Sequence, residues 1–263
     1  MRFCALYSGS SGNSLFLEAG GVRLLVDAGV AGRAVGSALG QIGVSPDTIG
    51  AILVTHEHID HIKGVGVLSR RYNIPVYANA KTWEAMQEQV GTIAPSCTRI
   101  FETDRDFYIK GLNVLPFKTP HDAAESVGFV FNCRGARIST MTDVGHVTGR
   151  LLSAVSDSDL LFIEANHDVD MLRAGSYPYL LKRRILGDNG HLSNEAAGKA
   201  VVKLFGQRMR NVVLGHLSRE NNMEELALET VRCELRAQDI PDGEIAVSVA
   251  HRDRISELFN IEE

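Results

Sequence analysis

Directly after the apolar run Ala51-Ile52-Leu53-Val54-Thr55 the chain reads His56-Glu57-His58-Ile59-Asp60-His61, in which His56, His58, Asp60 and His61 put four metal-capable side chains within six residues. A hydrophobic core has no use for that density of imidazole and carboxylate, yet three of the nine histidines of the chain fall here. A strand end followed by a tight loop turns His56 and His58 toward one ion, while Asp60 and His61 point to a second. Mixed imidazole and carboxylate donors suit Zn or Mn, with Fe compatible, better than Ca or Mg. The fold must therefore bring a buried strand to an edge where polar side chains converge.

Composition says that the motif serves chemistry rather than stability. With 263 residues, 44% of them apolar and 22% charged, the chain buries a full core without disulfides or a structural metal. Lys and Arg total 27 against 32 Asp and Glu, a formal charge of −5 that argues against an overall basic field for nucleic acid but allows a local basic groove. Cys4, Cys97, Cys133 and Cys233 lie far apart without a CxxC, as reduced thiols of a cytoplasmic protein do. The N-terminal segment breaks into Ser and Gly at Ser8, too early for a secretory core. No stretch approaches the ~18 apolar residues of a membrane helix, so no membrane partner is expected.

Short apolar runs separated by Gly, Ser and Asn predict strands over 2–7, 14–19, 22–27, 51–55 and 75–78, and further strands near 98–101 and 107–109. The middle continues with 112–117, 127–132 and 136–142, and 160–164, 211–215 and 244–249 complete the set. Helical periodicity covers 31–43, 62–73, 80–90 and 193–205, the last behind a Ser193 N-cap. Met223, Leu226, Ala227, Val231 and Leu235 form the stripe of another helix. With no linker, charge block or repeat, the reading is one domain over residues 1–263. Two strand-rich stretches, each followed by helices, predict an α+β fold in which two sheets lie face to face with helices outside, a four-layer αββα sandwich.

The HxHxDH pattern behind an apolar strand resembles the signature of the metallo-β-lactamase superfamily, and the later motifs follow in that family's order. His121 follows strand 112–117, Asp143 ends strand 136–142 and His216 ends strand 211–215. The resemblance implies that His56, His58 and His121 hold one divalent metal, that Asp60, His61 and His216 hold another, and that Asp143 bridges them. Asp27, ending the third strand, matches an early aspartate that orients a ligand histidine; a turn-capping role is the alternative. The Ser8–Asn13 loop, SGSSGN, offers backbone N–H groups and hydroxyls for an anion, with Ser10, Ser11, Gly12 and Asn13 as candidate phosphate-binding residues. In the family this loop lies at the mouth of the site.

Two segments separate branches of the superfamily. LLFIEANHD at 160–168 and GHLSN at 190–194 resemble the nucleic-acid-cutting branch, in which a histidine at the position of His191 helps protonate the leaving group, with Glu164 placed to orient it. His167 and Asp168 stand on the same loop; His167 is a site-proximal candidate, and Asp168 serves equally as a helix cap. Tyr177, Tyr179, Lys182, Arg183 and Arg184 form either a backbone-gripping edge or a solvated helix face. Taken together, SGSSGNS, THEHIDH, IEANHD, GHLSN and LGHLSRENN most resemble the YycJ/WalJ-like group of bacterial 5′-to-3′ DNA exonucleases. The expected function is a two-metal phosphodiesterase on nucleic acid, with Asp60 handling the attacking water and His191 the leaving oxygen. The alternative is a small-molecule metallohydrolase of the same fold, a glyoxalase II-like thioesterase or a lactonase.

Overall fold

A computed structural model, which describes residues 1–206 and 208–262, arranges the strands in two seven-stranded sheets. The first contains β1 (Arg2–Tyr7), β2 (Ser14–Ala19), β3 (Val22–Val26), β4 (Ala51–Leu53), β5 (Val76–Ala78) and β6 (Thr98–Ile100). The second contains β7 (Phe107–Ile109), β8 (Leu112–Lys118), β9 (Val127–Cys133), β10 (Ala136–Met141), β11 (Leu160–Glu164), β12 (Asn211–Gly215) and β13 (Ala246–Val249). A short β14 (Phe259–Asn260) returns to pair antiparallel with β1, so the spatial orders are β14-β1-β2-β3-β4-β5-β6 and β13-β12-β11-β10-β9-β8-β7.

Each sheet is half antiparallel meander and half parallel. β1, β2 and β3 alternate in direction and β4 to β6 then run parallel to β3. In the second sheet β7 to β10 alternate and β11 to β13 follow β10. As a result the loops after β1, β3 and β4 leave one end of the first sheet, and those after β8, β10, β11 and β12 leave one end of the second. The carboxyl ends of parallel strands are where open α/β sheets present their ligands.

The sheets face each other across a core that includes Phe3, Leu17, Leu24, Phe129, Phe131 and Phe162, with the Phe3 and Phe162 rings 5.8 Å apart. Burying such a side chain contributes ~1.5–3 kcal/mol. On the outer face of the first sheet lie α1 (Gly32–Gln41), α2 (Ile59–Ile62), α3 (Val65–Tyr72) and α4 (Ala80–Val90), packed on Leu25, Ile52 and Val76. On the second sheet α5 (Gly149–Val155), α8 (Asn194–Leu204) and α9 (Glu224–Arg236) pack on Leu161, Ile163 and Leu214. Two further helices, α6 (Val169–Ala174) and α7 (Tyr179–Ile185), fill the connection between β11 and α8. These are the four layers expected from the strand pattern.

The helix expected over 62–73 is divided, and the reason lies outside the helix. The Gly64 N–H donates to Ala28 O at 2.7 Å, and a Cβ on Gly64 would overlap the Val30 carbonyl, so the chain breaks there to let segment 28–30 pass. Ser193 does cap α8, accepting from Ala196 N, whereas Met223 at the head of the α9 stripe is exposed. The four thiols are free, Cys233 exposed and the others buried. Among the described residues no helix is long and apolar enough to cross a membrane.

Candidate metal centre and catalytic site

Three strands end on a site-facing residue in the left-handed backbone region: Asp27 after β3 (φ 61°), Asp143 after β10 (φ 58°) and His216 after β12 (φ 56°). Such a conformation costs a residue with a Cβ about 1 kcal/mol or more, and it is found where surrounding contacts hold a functional side chain in place. The β4 terminus supplies Thr55 and His56, and His58 stands at the head of α2, which carries Asp60 and His61. Gly29 makes the close approach possible, because a Cβ there would overlap the Asp60 carbonyl. That packing fixes the turn from which Asp60 and His61 project.

Donor atoms of His56, His58 and His121 lie within 4.8 Å of one another, and so do those of Asp60, His61 and His216. Asp143 joins His56 and His61 in a further cluster of that kind and lies between the two sets, 3.5 Å from His61 Nε2, 3.7 Å from His121 Nε2 and 3.6 Å from His216 Nε2. The ring nitrogens facing away from the centre are anchored. His61 Nδ1 meets Asp27 Oδ2 at 2.7 Å, His216 Nδ1 meets Glu164 Oε1 at 2.8 Å, His121 Nδ1 donates to Gly190 O at 3.1 Å and His56 Nδ1 meets Thr55 Oγ1 at 2.9 Å. Anchoring one nitrogen sets the tautomer and aims the lone pair of the other inward.

The donor set fits divalent cations. His121 Nε2, His216 Nε2 and Asp143 Oδ2 are buried without a hydrogen-bond partner, a cost of ~1–3 kcal/mol for each group unless something satisfies it. His56 Nε2 and His58 Nδ1 lie 3.0 Å apart, both facing the same space. The carboxylates favour positive charge on two of the imidazoles: although burial lowers the affinity of His61 for a proton, Asp143 and Asp27 raise its pKa to about 9. His216 is raised in the same way, again against burial, by Asp143, Asp60 and Glu164. The His61 and His216 side of the pocket therefore favours positive charge, whereas burial holds His56 and His121 below the ordinary histidine value.

His191 and Glu164 form the second half of the site. Fully buried Glu164 accepts from His191 Nδ1 at 2.6 Å and His216 Nδ1 at 2.8 Å with Oε1, and from the Val144 and Leu192 N–H groups at 2.9 and 3.2 Å with Oε2. Burial opposes ionisation of Glu164, but His191 and His216 hold its pKa at about 2. Burial also works against the His191 imidazolium, yet Glu164 raises its pKa above the ordinary histidine value. The His191 side chain is 19% exposed, with Nδ1 tied inward and its ring centred 5.0 Å from that of His121 and 5.3 Å from that of His216.

The remaining candidates separate by their surroundings. Asp60, at 22% exposure, keeps Oδ2 toward His61, His216 and Asn13. In the SGSSGN loop the amide of Asn13 is fully used: Oδ1 accepts from Gly9 N, and Nδ2 lies 3.3 Å from Asp60 Oδ2 and 3.1 Å from His61 Nε2. Asn13 thus braces Asp60 and His61, and the exposed Ser10 and Ser11 are left as the loop's outward groups. His167 is buried, outside the donor clusters, with neither ring nitrogen paired and its pKa pushed down to about 4 by burial. Asp168 caps α6 through Met171 N at 2.8 Å. Lys182 is spent on the carbonyls of Arg173 and Gly175, and Arg184 pairs with Asp122 beside His121, while Tyr179 and Arg183 remain exposed and Tyr177 half-buried.

Three contributors carry no metal or catalytic signature in the sequence. Ser8 Oγ accepts from the His216 N–H at 2.7 Å, Thr55 donates to Asp27, and Asn166 Nδ2 donates to the His216 carbonyl at 2.9 Å. Ser, Thr and Asn are common at strand ends, so only the contact reveals the role.

Comparisons with known proteins agree with this architecture. Residues 22–217 match the β-lactamase superfamily domain. Exodeoxyribonuclease WalJ of Streptococcus pneumoniae serotype 2 (strain D39 / NCTC 7466) is 43% identical over 244 residues, covering 92% of this chain and 91% of that protein. Exodeoxyribonuclease YycJ of Bacillus anthracis is 40% identical over 244 residues, covering 93% and 92%. Among solved structures, Zn(2+)-bound PqqB from Methylobacterium extorquens superposes with a TM-score of 0.71 at 18% identity, over 98% of this chain and 100% of that one, a likeness of fold. The αββα sandwich is thus the metallo-β-lactamase fold, and the chain belongs to the β-lactamase superfamily and, within it, to the WalJ/YycJ exodeoxyribonuclease family.

Proposed function

We propose that the protein is a two-metal phosphodiesterase that shortens DNA from its 5′ end. It is a metal-dependent hydrolase acting on nucleic acid, as its kinship with the exodeoxyribonucleases of Streptococcus pneumoniae and Bacillus anthracis supports. The finer reading has one metal on His56, His58 and His121, the other on Asp60, His61 and His216, and Asp143 between them. Zn or Mn suits these donors, with Fe compatible. When bound, two such cations neutralise charge on a scissile phosphate and acidify a water molecule. We place the activity in a single unit spanning residues 1–263 of a cytoplasmic protein.

The chain's own groups then divide the proton work. Asp60, the most exposed carboxylate of the cluster, orients the attacking water and takes its proton. His191 gives a proton to the departing oxygen, while Glu164 holds the imidazole by Nδ1 and stabilises its charged form. That pairing is the observation that carries the reading, because a phosphodiester expels a poor leaving group and needs an acid where a thioester does not. The test offers purified protein with Mn or Zn end-labelled DNA and RNA, bearing 5′-phosphate or 5′-hydroxyl, beside a thioester. Nucleotide release from the 5′ end of DNA is expected; thioester hydrolysis without nucleotide release transfers the protein to the small-molecule alternative.

A further inference from the structure

The SGSSGN loop is built around an arginine from the far end of the chain. Gly9 pairs with Leu217, the residue after His216, and a Cβ on Gly9 would collide with Cγ of Arg252 at 2.7 Å. Only a glycine there lets the aliphatic stem of Arg252 lie against the base of the loop. The neighbouring backbone is fastened as well, with Ser8 N donating to His251 O at 3.1 Å. Arg252 Nε is buried without a hydrogen-bond partner, and among the described residues no carboxylate pairs with its guanidinium. An unpaired guanidinium N–H in such a position is costly unless an anion meets it.

The loop supplies complementary donors. Gly12 N donates to Gly9 O at 2.9 Å, closing a turn whose corner residues are Ser10 and Ser11. The N–H groups of Gly9 and Gly12 are used within the loop and that of Asn13 on the Asp60 carbonyl, but those of Ser10 and Ser11 have no backbone partner among the described residues. The turn spans the metal edge, since Asn13 touches Asp60 and His61 while Gly9 adjoins the strand that ends in His216. Glu224, the first residue of α9, is engaged with His251 Nδ1 at 2.9 Å.

We propose that Arg252 is the cationic half of a substrate-phosphate subsite whose other half is the Ser10-Ser11 turn. This inference rests on the phosphodiesterase reading above. A dianionic terminal phosphate and a monoanionic internal one present the same oxygens to a guanidinium, and the two are told apart by the chemistry of the DNA end.

Affinity is measured by fluorescence anisotropy on phosphorothioate oligonucleotides of one sequence bearing either a 5′-phosphate or a 5′-hydroxyl, so that no turnover is required. Arg252→Met keeps the stem against Gly9 and removes the charge. It should weaken binding roughly ten- to hundredfold, the scale of losing a charge-assisted hydrogen bond, and Arg252→Lys should restore part of it. Weakening confined to the phosphorylated end identifies the terminal phosphate, and equal weakening at both ends identifies an internal one. Unchanged affinity for both ends overturns the subsite. Should the substitutions prevent folding, phenylglyoxal labelling of the wild-type protein, read by mass spectrometry, decides: the 5′-phosphorylated oligonucleotide must shield Arg252, and equal labelling with and without it also overturns the proposal. Because these readouts are of binding, a protein that binds DNA through Arg252 yet cleaves none would refute the phosphodiesterase reading and leave the subsite standing.

Discussion

Replacing Glu164 by Gln changes one heavy atom, yet the structure allows the amide no satisfactory orientation. The carboxylate accepts four hydrogen bonds, two from imidazole Nδ1 atoms and two from the Val144 and Leu192 N–H groups. A glutamine has one accepting oxygen, so its NH2 must point at a pair of donors. If it faces the backbone pair, two buried N–H groups lose their acceptor, at ~1–3 kcal/mol each and about 2–6 kcal/mol together. If it faces the imidazoles, His216 must accept at Nδ1 and carry its proton on Nε2, the atom that belongs to the metal edge. Against a total stability of ~5–15 kcal/mol, the first arrangement is a large loss. The second should weaken metal binding ~10- to 100-fold. Urea titration of metal-free wild type and Glu164→Gln, followed by Zn titration of each, measures both quantities. A variant within about 1 kcal/mol of wild type that also keeps its Zn affinity would refute the account of Glu164 as the shared acceptor.

Three further outcomes are expected. His191→Ala should lower DNA turnover ~10²- to 10⁴-fold with a smaller loss on a bis-nitrophenyl phosphodiester, whose leaving group needs little protonation; equal losses on both substrates would remove His191 from the acid role. Asp143→Ala should lower metal content from the proposed two ions per chain, measured by elemental analysis of metal-replete protein, because the carboxylate that lies between the two histidine sets is gone. The Cys4 thiol is pushed up from 9.0 to about 11 by burial, so its contribution to stability is intact below pH 9 and declines as pH climbs toward 11. Melts of Cys4→Ala and wild type from pH 8 to 11 should therefore show the shallower alkaline decline in the variant, while iodoacetamide should modify the exposed Cys233 before Cys4 in the native protein.

Much of the architecture was legible in local sequence because its signals are local. A strand announces itself by apolar residues bounded by turn residues, and β2, β11, β12 and α4 stand where the pattern put them. The divided helix at Gly64 and the short β14 escaped that reading: one depends on a backbone packed against it from segment 28–30, the other on an edge strand for company. Similarly, HxHxDH announces a metal-capable edge because its residues are adjacent, whereas His121, Asp143 and His216 are legible only because they follow, at strand ends, the motif order of the family that HxHxDH resembles.

What the sequence by itself determined is the inventory: which strands exist apart from β14, which end in polar side chains, and that imidazole and carboxylate are concentrated behind β4. Tertiary structure alone decided how those ends meet. Parallel pairing of β10, β11 and β12 sets Asp143, Glu164 and His216 side by side, and packing of the two sheets brings that row against His56 and His61. The same packing turned Asn13 inward as a brace, made Ser8 a support for His216, and laid Arg252 against Gly9. Periodicity is a property of neighbours along the chain, whereas these contacts join residues far apart in it. They depend on strand register and on which small residues permit close approach, and those are settled only when the sheets pack.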